Sequence, residues 1–193
     1  MARFIEHLKY ARIIGADMVG TETGRLSSDF RVTPETYSEY GYQLLLKSMR
    51  EIVAAAEKLG VIVGVEGVFD HTLCSPARMK RFLDDIDSPN VEVILDGVNL
   101  IHPNETAPEA QARVIGQAFE YYGDRISALH MKDFVFDGEN QIFKHVGEGL
   151  FNYEPFMKLI KEKKPYIPML LENSDRERFH EDVAFLQEVF DRV

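Results

Sequence analysis

Residues 61–100 read VIVGVEGVFDHTLCSPARMKRFLDDIDSPNVEVILDGVNL. The stretch opens with VIVGVEG (61–67), a continuous apolar and β-branched run of the kind a strand buried on both faces shows. Ser75-Pro76 then opens a helix to about residue 86, with Pro at its first position. VEVILDG (91–97) is the next buried strand. Strand, helix and strand at this spacing form one parallel crossover unit. In both strands a carboxylate closes the apolar run, Glu66 in the first and Asp96 in the second.

The same alternation extends in both directions. Residues 3–14 place Phe4, Leu8, Ala11 and Arg12 at helical spacing, with Gly15 as the stop. Residues 16–22 read as a strand. Residues 34–59 read as one long helix, with Thr33 as N-cap, Pro34 in the first position and Gly60 as C′ stop. Its apolar stripe is Tyr37, Tyr40, Leu44, Leu45, Met49, Ile52, Val53 and Ala56. Downstream, a loop with Pro103 and Pro108 leads into a helix over 107–122, stopped by Gly123. ISALHMKD (126–133) is a fourth strand, followed by a long polar loop to Gly149. Asn152 caps a helix over 153–163, PMLLEN (168–173) is a fifth strand, and 175–192 is the last helix. No linker interrupts this order, so residues 1–193 read as one α/β domain. Five such strands fit either an open doubly wound sheet or part of a (β/α)₈ barrel.

Composition narrows the function classes. Lys and Arg number 22 against 32 Asp and Glu, a formal charge of −10. That balance argues against a nucleic-acid partner, which needs a concentrated basic face. No apolar run approaches the roughly 18 residues that span a bilayer, so no membrane partner is expected. The N-terminus has no signal-type apolar segment, and the single Cys74 suits a reducing cytoplasm. GxGxxG and GxxxxGK[ST] are both absent, which disfavours nucleotide binding.

The informative residues are ionisable groups at strand ends. Glu66, Asp96, His130 and Glu172 each follow an apolar run, at separations of 30, 34 and 42 residues. The carboxyl end of parallel strands is where α/β sites assemble. A barrel would aim all four at one centre. Two Glu, one Asp and one His form a hard, oxygen-rich set that suits Mn²⁺ or Mg²⁺, and also accommodates Zn²⁺, Co²⁺ or Fe²⁺. The competing reading is that any one of them only caps a helix or pairs with Lys or Arg. Glu22, in GTETG, ends the first strand and is a candidate substrate contact. His71 lies in a loop within reach of such a site, as does His145. Cys74 has no His–Asp partner set. His7, His102 and His180 receive no role, and Lys161 to Lys164 read as a solvated helix end.

The strings VGVEGV, VEVILDGVNLI, ISALHMKD, HVGEG, FNYEPF and MLLEN resemble the xylose-isomerase-like TIM-barrel superfamily, in particular its sugar phosphate isomerase/epimerase branch. The superfamily also contains inosose dehydratases and endonuclease IV. The resemblance covers essentially the whole chain and implies an incomplete barrel of about five βα units out of eight. It implies one divalent metal on Glu66, Asp96, His130 and Glu172, with Glu66 and Glu172 as the catalytic acid/base pair. Such an enzyme removes a proton beside a sugar carbonyl through a metal-stabilised enediolate. Two positions depart from the pattern. Asn99 stands where many members carry a His after Asp96, and an amide suits a substrate hydroxyl better than a transition metal. Lys132 is the nearest counterpart of a basic substrate-binding residue, with a surface pair to Asp133 as the competing reading.

The expectation is a cytoplasmic sugar or sugar-phosphate isomerase/epimerase acting on a small molecule. The alternatives are an endonuclease IV-like abasic-site nuclease and a degenerate, non-catalytic barrel fragment. A closed barrel takes about 250 residues. A chain of 193 is therefore expected to form a homo-oligomer that covers the open side, since exposed strand edges and apolar faces favour association.

Overall fold

Six α-helices and seven strands form along residues 1–193 of the computed structural model. They pack as two units, Met1–Ile94 with Arg125–Ser127, and Leu95–Asp124 with Ala128–Val193. The main sheet orders its strands β1-β2-β3-β4-β7, and β5 and β6 form a separate pair. The expected parallel α/β architecture is therefore present, with five strands where a closed (β/α)₈ barrel has eight.

In the first unit α1 (Ala2–Ile14) stops at Gly15, which takes the left-handed conformation at φ 77°. Strand β1 (Met18–Glu22) pairs in parallel with β2 (Ile62–Glu66), residue for residue from Met18↔Ile62 to Glu22↔Glu66. β2 pairs in parallel with β3 (Val91–Asp96), placing Glu66 opposite Ile94. Helix α3 (Pro76–Ile86) starts where expected, with Ser75 Oγ accepting from the Arg78 N–H.

The long helix expected over 34–59 is broken. A 3₁₀ turn at Pro34–Tyr37 precedes α2 (Glu39–Leu59), and Ser38 rather than Thr33 is the cap. Ser38 Oγ accepts from Gly41 N–H at 3.1 Å and donates to the Glu35 carbonyl at 2.7 Å. Gly41 is required by this packing, because a Cβ there would sit 2.5 Å from the Glu35 carbonyl oxygen. The break changes which residues the first turns of the helix bury. Tyr42 and Leu46 are buried, whereas Tyr40 and Leu44 are exposed. Tyr42 donates to Asp85 Oδ2 at 2.6 Å, and the Arg81 guanidinium lies 4.0 Å from its ring centroid. From Met49 to Ala56 the expected stripe is the buried one.

In the second unit α4 (Pro108–Tyr122) does not end on a left-handed glycine. Gly123 is right-handed and continues into a 3₁₀ turn to Arg125, after which β4 (Ile126–Met131) begins. His130 is the penultimate residue of β4, which ends at Met131, two residues short of the expected 126–133. The expected polar loop after β4 contains a hairpin, β5 (Asp133–Asp137) with β6 (Asn140–Lys144). Gly138-Glu139 is the signal: Gly138 at φ 61° opens a two-residue turn of the kind that joins antiparallel strands.

Asn152 precedes α5 (Tyr153–Lys163) but makes no side-chain cap. Buried Gln111 takes that part, accepting from the Asn152 N–H at 2.9 Å and donating to the Thr106 and Leu150 carbonyls, each at 2.8 Å. Strand β7 (Met169–Leu171) pairs with β4 in parallel. Helix α6 (Phe179–Arg192) starts later than expected, because the Asp175 carboxylate first binds the N–H groups of Glu177 and Arg178 in a turn. No helix is long and apolar enough to cross a membrane.

Candidate active site

Within the first unit, register alone puts Glu22 and Glu66 side by side, since they are paired residues at the ends of β1 and β2. Glu66 is buried and Glu22 is half exposed. His71 arrives from the loop after β2. Its Nδ1 accepts from the Gly24 N–H at 3.2 Å and lies 3.6 Å from Glu22 Oε2. Its Nε2 lies 3.6 Å from Asp70 Oδ1, and Asp70 pairs with Arg25. Burial lowers the His71 pKa against the opposing pull of Asp70, so the ring is neutral near pH 7. That matches an Nδ1 acting as acceptor. The first unit therefore gathers Glu22, Glu66 and His71 at the carboxyl ends of its strands.

Within the second unit, Asp96, His130, Lys132 and Glu172 converge. Asp96 is buried at the end of β3; its Oδ1 accepts from the Asn99 backbone N–H at 3.0 Å. His130 Nδ1 lies 4.0 Å from Asp96 Oδ2 and 3.6 Å from Glu172 Oε1. Lys132 Nζ forms an ion pair with Asp96 Oδ2 at 2.8 Å and donates to Glu172 Oε2. Lys132 is buried; desolvation lowers its pKa, but Asp96 and Glu172 outweigh this and raise it overall. It is therefore a charged ammonium between two carboxylates and not half of a surface pair. Asp133 is buried too, and faces backbone N–H groups instead. Tyr153 donates to the Lys132 carbonyl at 2.6 Å and holds that turn of the chain.

His145 does not join this cluster. Its Nδ1 sits 3.0 Å from Asp182 Oδ2, which also accepts from Ser174 Oγ at 2.5 Å. These contacts pin the segment just after Glu172 to α6. Burial raises the Asp182 carboxyl, but Ser174 and His145 overcome it and hold the pKa below the ordinary value. A depressed Asp contributes stability above about pH 4 that is lost as pH falls through its folded value, because the unfolded chain then binds more protons. Urea unfolding of Asp182→Asn from pH 7 to pH 3 is therefore expected to show a shallower loss of stability than wild type. Parallel slopes would remove Asp182 from the acid response.

The donor set fits a divalent cation. The Asp96 and His130 donor atoms, 4.0 Å apart, can share an ion at about 2.0–2.2 Å from each. Asp96 and His130 each offer one such atom. A carboxylate and an imidazole suit Mn²⁺ or Mg²⁺, and also Zn²⁺. The Lys132 ammonium lies where the two carboxylates demand positive charge.

The model of a family described as xylose isomerase-like TIM barrel matches residues 1–189. Among solved structures, a xylose isomerase domain protein from Planctomyces limnophilus superposes at a TM-score of 0.75 and 18% identity, over 100% of this chain and 64% of that one. A xylose isomerase-like TIM barrel protein from Mycobacterium smegmatis, in complex with magnesium, gives 0.69 and 18%, over 98% of this chain and 67% of that one. D-psicose 3-epimerase from Clostridium cellulolyticum H10, with D-tagatose, gives 0.69 and 15%, over 98% and 70%. The chain thus spans just under two thirds of the length of the Planctomyces protein. A search of curated proteins finds no match.

Proposed function

This chain belongs to the xylose isomerase-like TIM-barrel family, and from that premise we propose that it is a divalent-metal-dependent isomerase or epimerase of a sugar or sugar phosphate. The observation that carries the reading is the Lys132-bridged pair of Asp96 and Glu172 with His130 beside it. Epimerases and an epimerase-like protein of the same fold support the substrate class.

Asp96, His130 and Glu172, with Glu66 from the end of β2, would hold the metal. A bound divalent cation supplies Lewis acidity to a substrate carbonyl. The carboxylate of Glu172 takes the proton from the carbon beside that carbonyl, and Glu66 returns one to the opposite face. Lys132 fixes Glu172 through Oε2 and leaves Oε1 on the His130 side. Glu22, His71 and Asn99 bind substrate hydroxyls. The reaction runs in the cytoplasm, where Cys74 stays reduced.

The test is incubation of free and phosphorylated ketoses in deuterated water with Mn²⁺ or Mg²⁺. Deuterium should enter the carbon beside the carbonyl, and EDTA should stop it. No metal-dependent exchange with any ketose would overturn the reading.

Assembly belongs to the same proposal. β7 is an end strand of the sheet. Beside it an apolar groove of about 320 Å³ is lined by Pro165, Met169, Phe179, Val183 and Phe190 among others. Exposed apolar surface of this kind marks an interface, and a second copy of the chain would cover it. A monomeric mass by light scattering at micromolar concentration would count against this.

A further inference from the structure

The β5–β6 hairpin carries an aromatic ring that the core leaves exposed. Phe143 is 41% exposed and its neighbour Ile142 43%, whereas Phe134, the register partner of Phe143, is fully buried. The hairpin is tied down at Gln141, whose Nε2 donates to the Val98 carbonyl at 3.0 Å. The Phe143 ring centroid lies 4.3 Å from Lys132 Nζ. That ammonium is the one bonded to Asp96 and Glu172. An exposed apolar face therefore borders an ammonium and two carboxylates.

We infer that Phe143 is a binding platform on which the substrate stacks, and that its ligand class is the carbon skeleton of a ketose. A sugar presents a face of C–H groups and a rim of hydroxyls. The negative face of an aromatic ring attracts the polarised C–H groups, as it attracts the Lys132 ammonium. Lys132 covers one face of the ring, so the sugar takes the open face and its hydroxyl rim extends past the ring edge toward Lys132 and the two carboxylates. The inference rests on the isomerase/epimerase reading and deepens it by naming what holds the apolar side of the substrate.

The chain contains no Trp and eight Tyr, so Phe143→Trp places a single Trp on the platform that can be excited apart from the Tyr. Titration with D-tagatose and with other free and phosphorylated ketoses should give a saturable change in emission, and titration with succinate should not. A saturable response without turnover of any sugar would support the platform while overturning the reaction. Absence of a saturable response to every ketose would overturn the platform. With a turned-over sugar, Phe143→Ala should raise KM about tenfold with kcat held within about threefold, and Phe143→Tyr should restore KM. The urea midpoint of Phe143→Ala should stay at the wild-type value, because the ring is not core. A wild-type KM in Phe143→Ala, or a fall in kcat alone, would overturn the inference.

Discussion

Glu172→Gln is expected to reduce deuterium entry at the substrate carbon by about 10²–10⁴-fold, the usual contribution of a positioned general base. Gln keeps the length of the side chain and an acceptor oxygen for Lys132, but it has no basic carboxylate. Lys132 retains Asp96 as its second partner. The Glu172 side chain is 42% exposed, so the substitution should change stability little. A wild-type melting temperature with lost exchange separates the role of Glu172 at the site, as base and metal ligand, from a structural one. Exchange at the normal rate in the Gln variant would show that another group takes the proton. Exchange that fails only together with the fold would point to the ion pair as structural.

The largest stability effect is expected at Asp133. Its Oδ1 accepts from the N–H groups of Phe134 at 2.8 Å and Phe151 at 2.9 Å, and its Oδ2 from Gly147 at 3.0 Å. The carboxylate thus joins the start of β5 to the 147–151 segment. That segment delivers Phe151 to Tyr153 and Phe156, with ring centroids 4.9 and 5.6 Å away. Asp133→Ala leaves three inward N–H groups without an acceptor. At about 1–3 kcal/mol for each unsatisfied group, less what entering water returns, the loss should be about 3–5 kcal/mol. Burial raises the Asp133 pKa even against these donors, so the negative charge itself is a cost. Asp133→Asn keeps an acceptor oxygen toward Phe134 and Phe151 and turns an amide toward Gly147. It should lose less, about 1–3 kcal/mol. Urea midpoints rank the three proteins. Equal midpoints for Asp and Ala would mean the 147–151 segment does not depend on this carboxylate. Gly149 belongs to the same joint: a Cβ there would collide with Asp133 Oδ1 and with the Phe134 carbonyl.

Reading along the chain located Glu66, Asp96, His130 and Glu172 because each rule involved is local. An apolar run of five or six residues is a buried strand, and the polar residue that ends it marks the carboxyl end. The helices after Ser75 and before Gly60 were legible for the same reason, since caps and stops act within a few residues. Lys132 was ambiguous because its partners are 36 and 40 residues away, and nothing in the string KD separates a surface pair from a buried one. The break at Ser38 was hidden because a 3₁₀ turn and a helix start share composition. Gln111 and Asp133 left no sequence signal: their partners are backbone N–H and C=O groups, which every residue carries. The hairpin turn lies at Gly138-Glu139, where a run of polar residues makes strand and loop look alike.

The sequence by itself therefore determined the strand–helix order and the identity of the strand-end groups, because both follow from short-range periodicity. Only the tertiary structure decided which charges meet, which backbone groups the buried polar side chains satisfy, and which aromatic ring stands open beside them. Those outcomes depend on distance in space, and chain separation does not encode it.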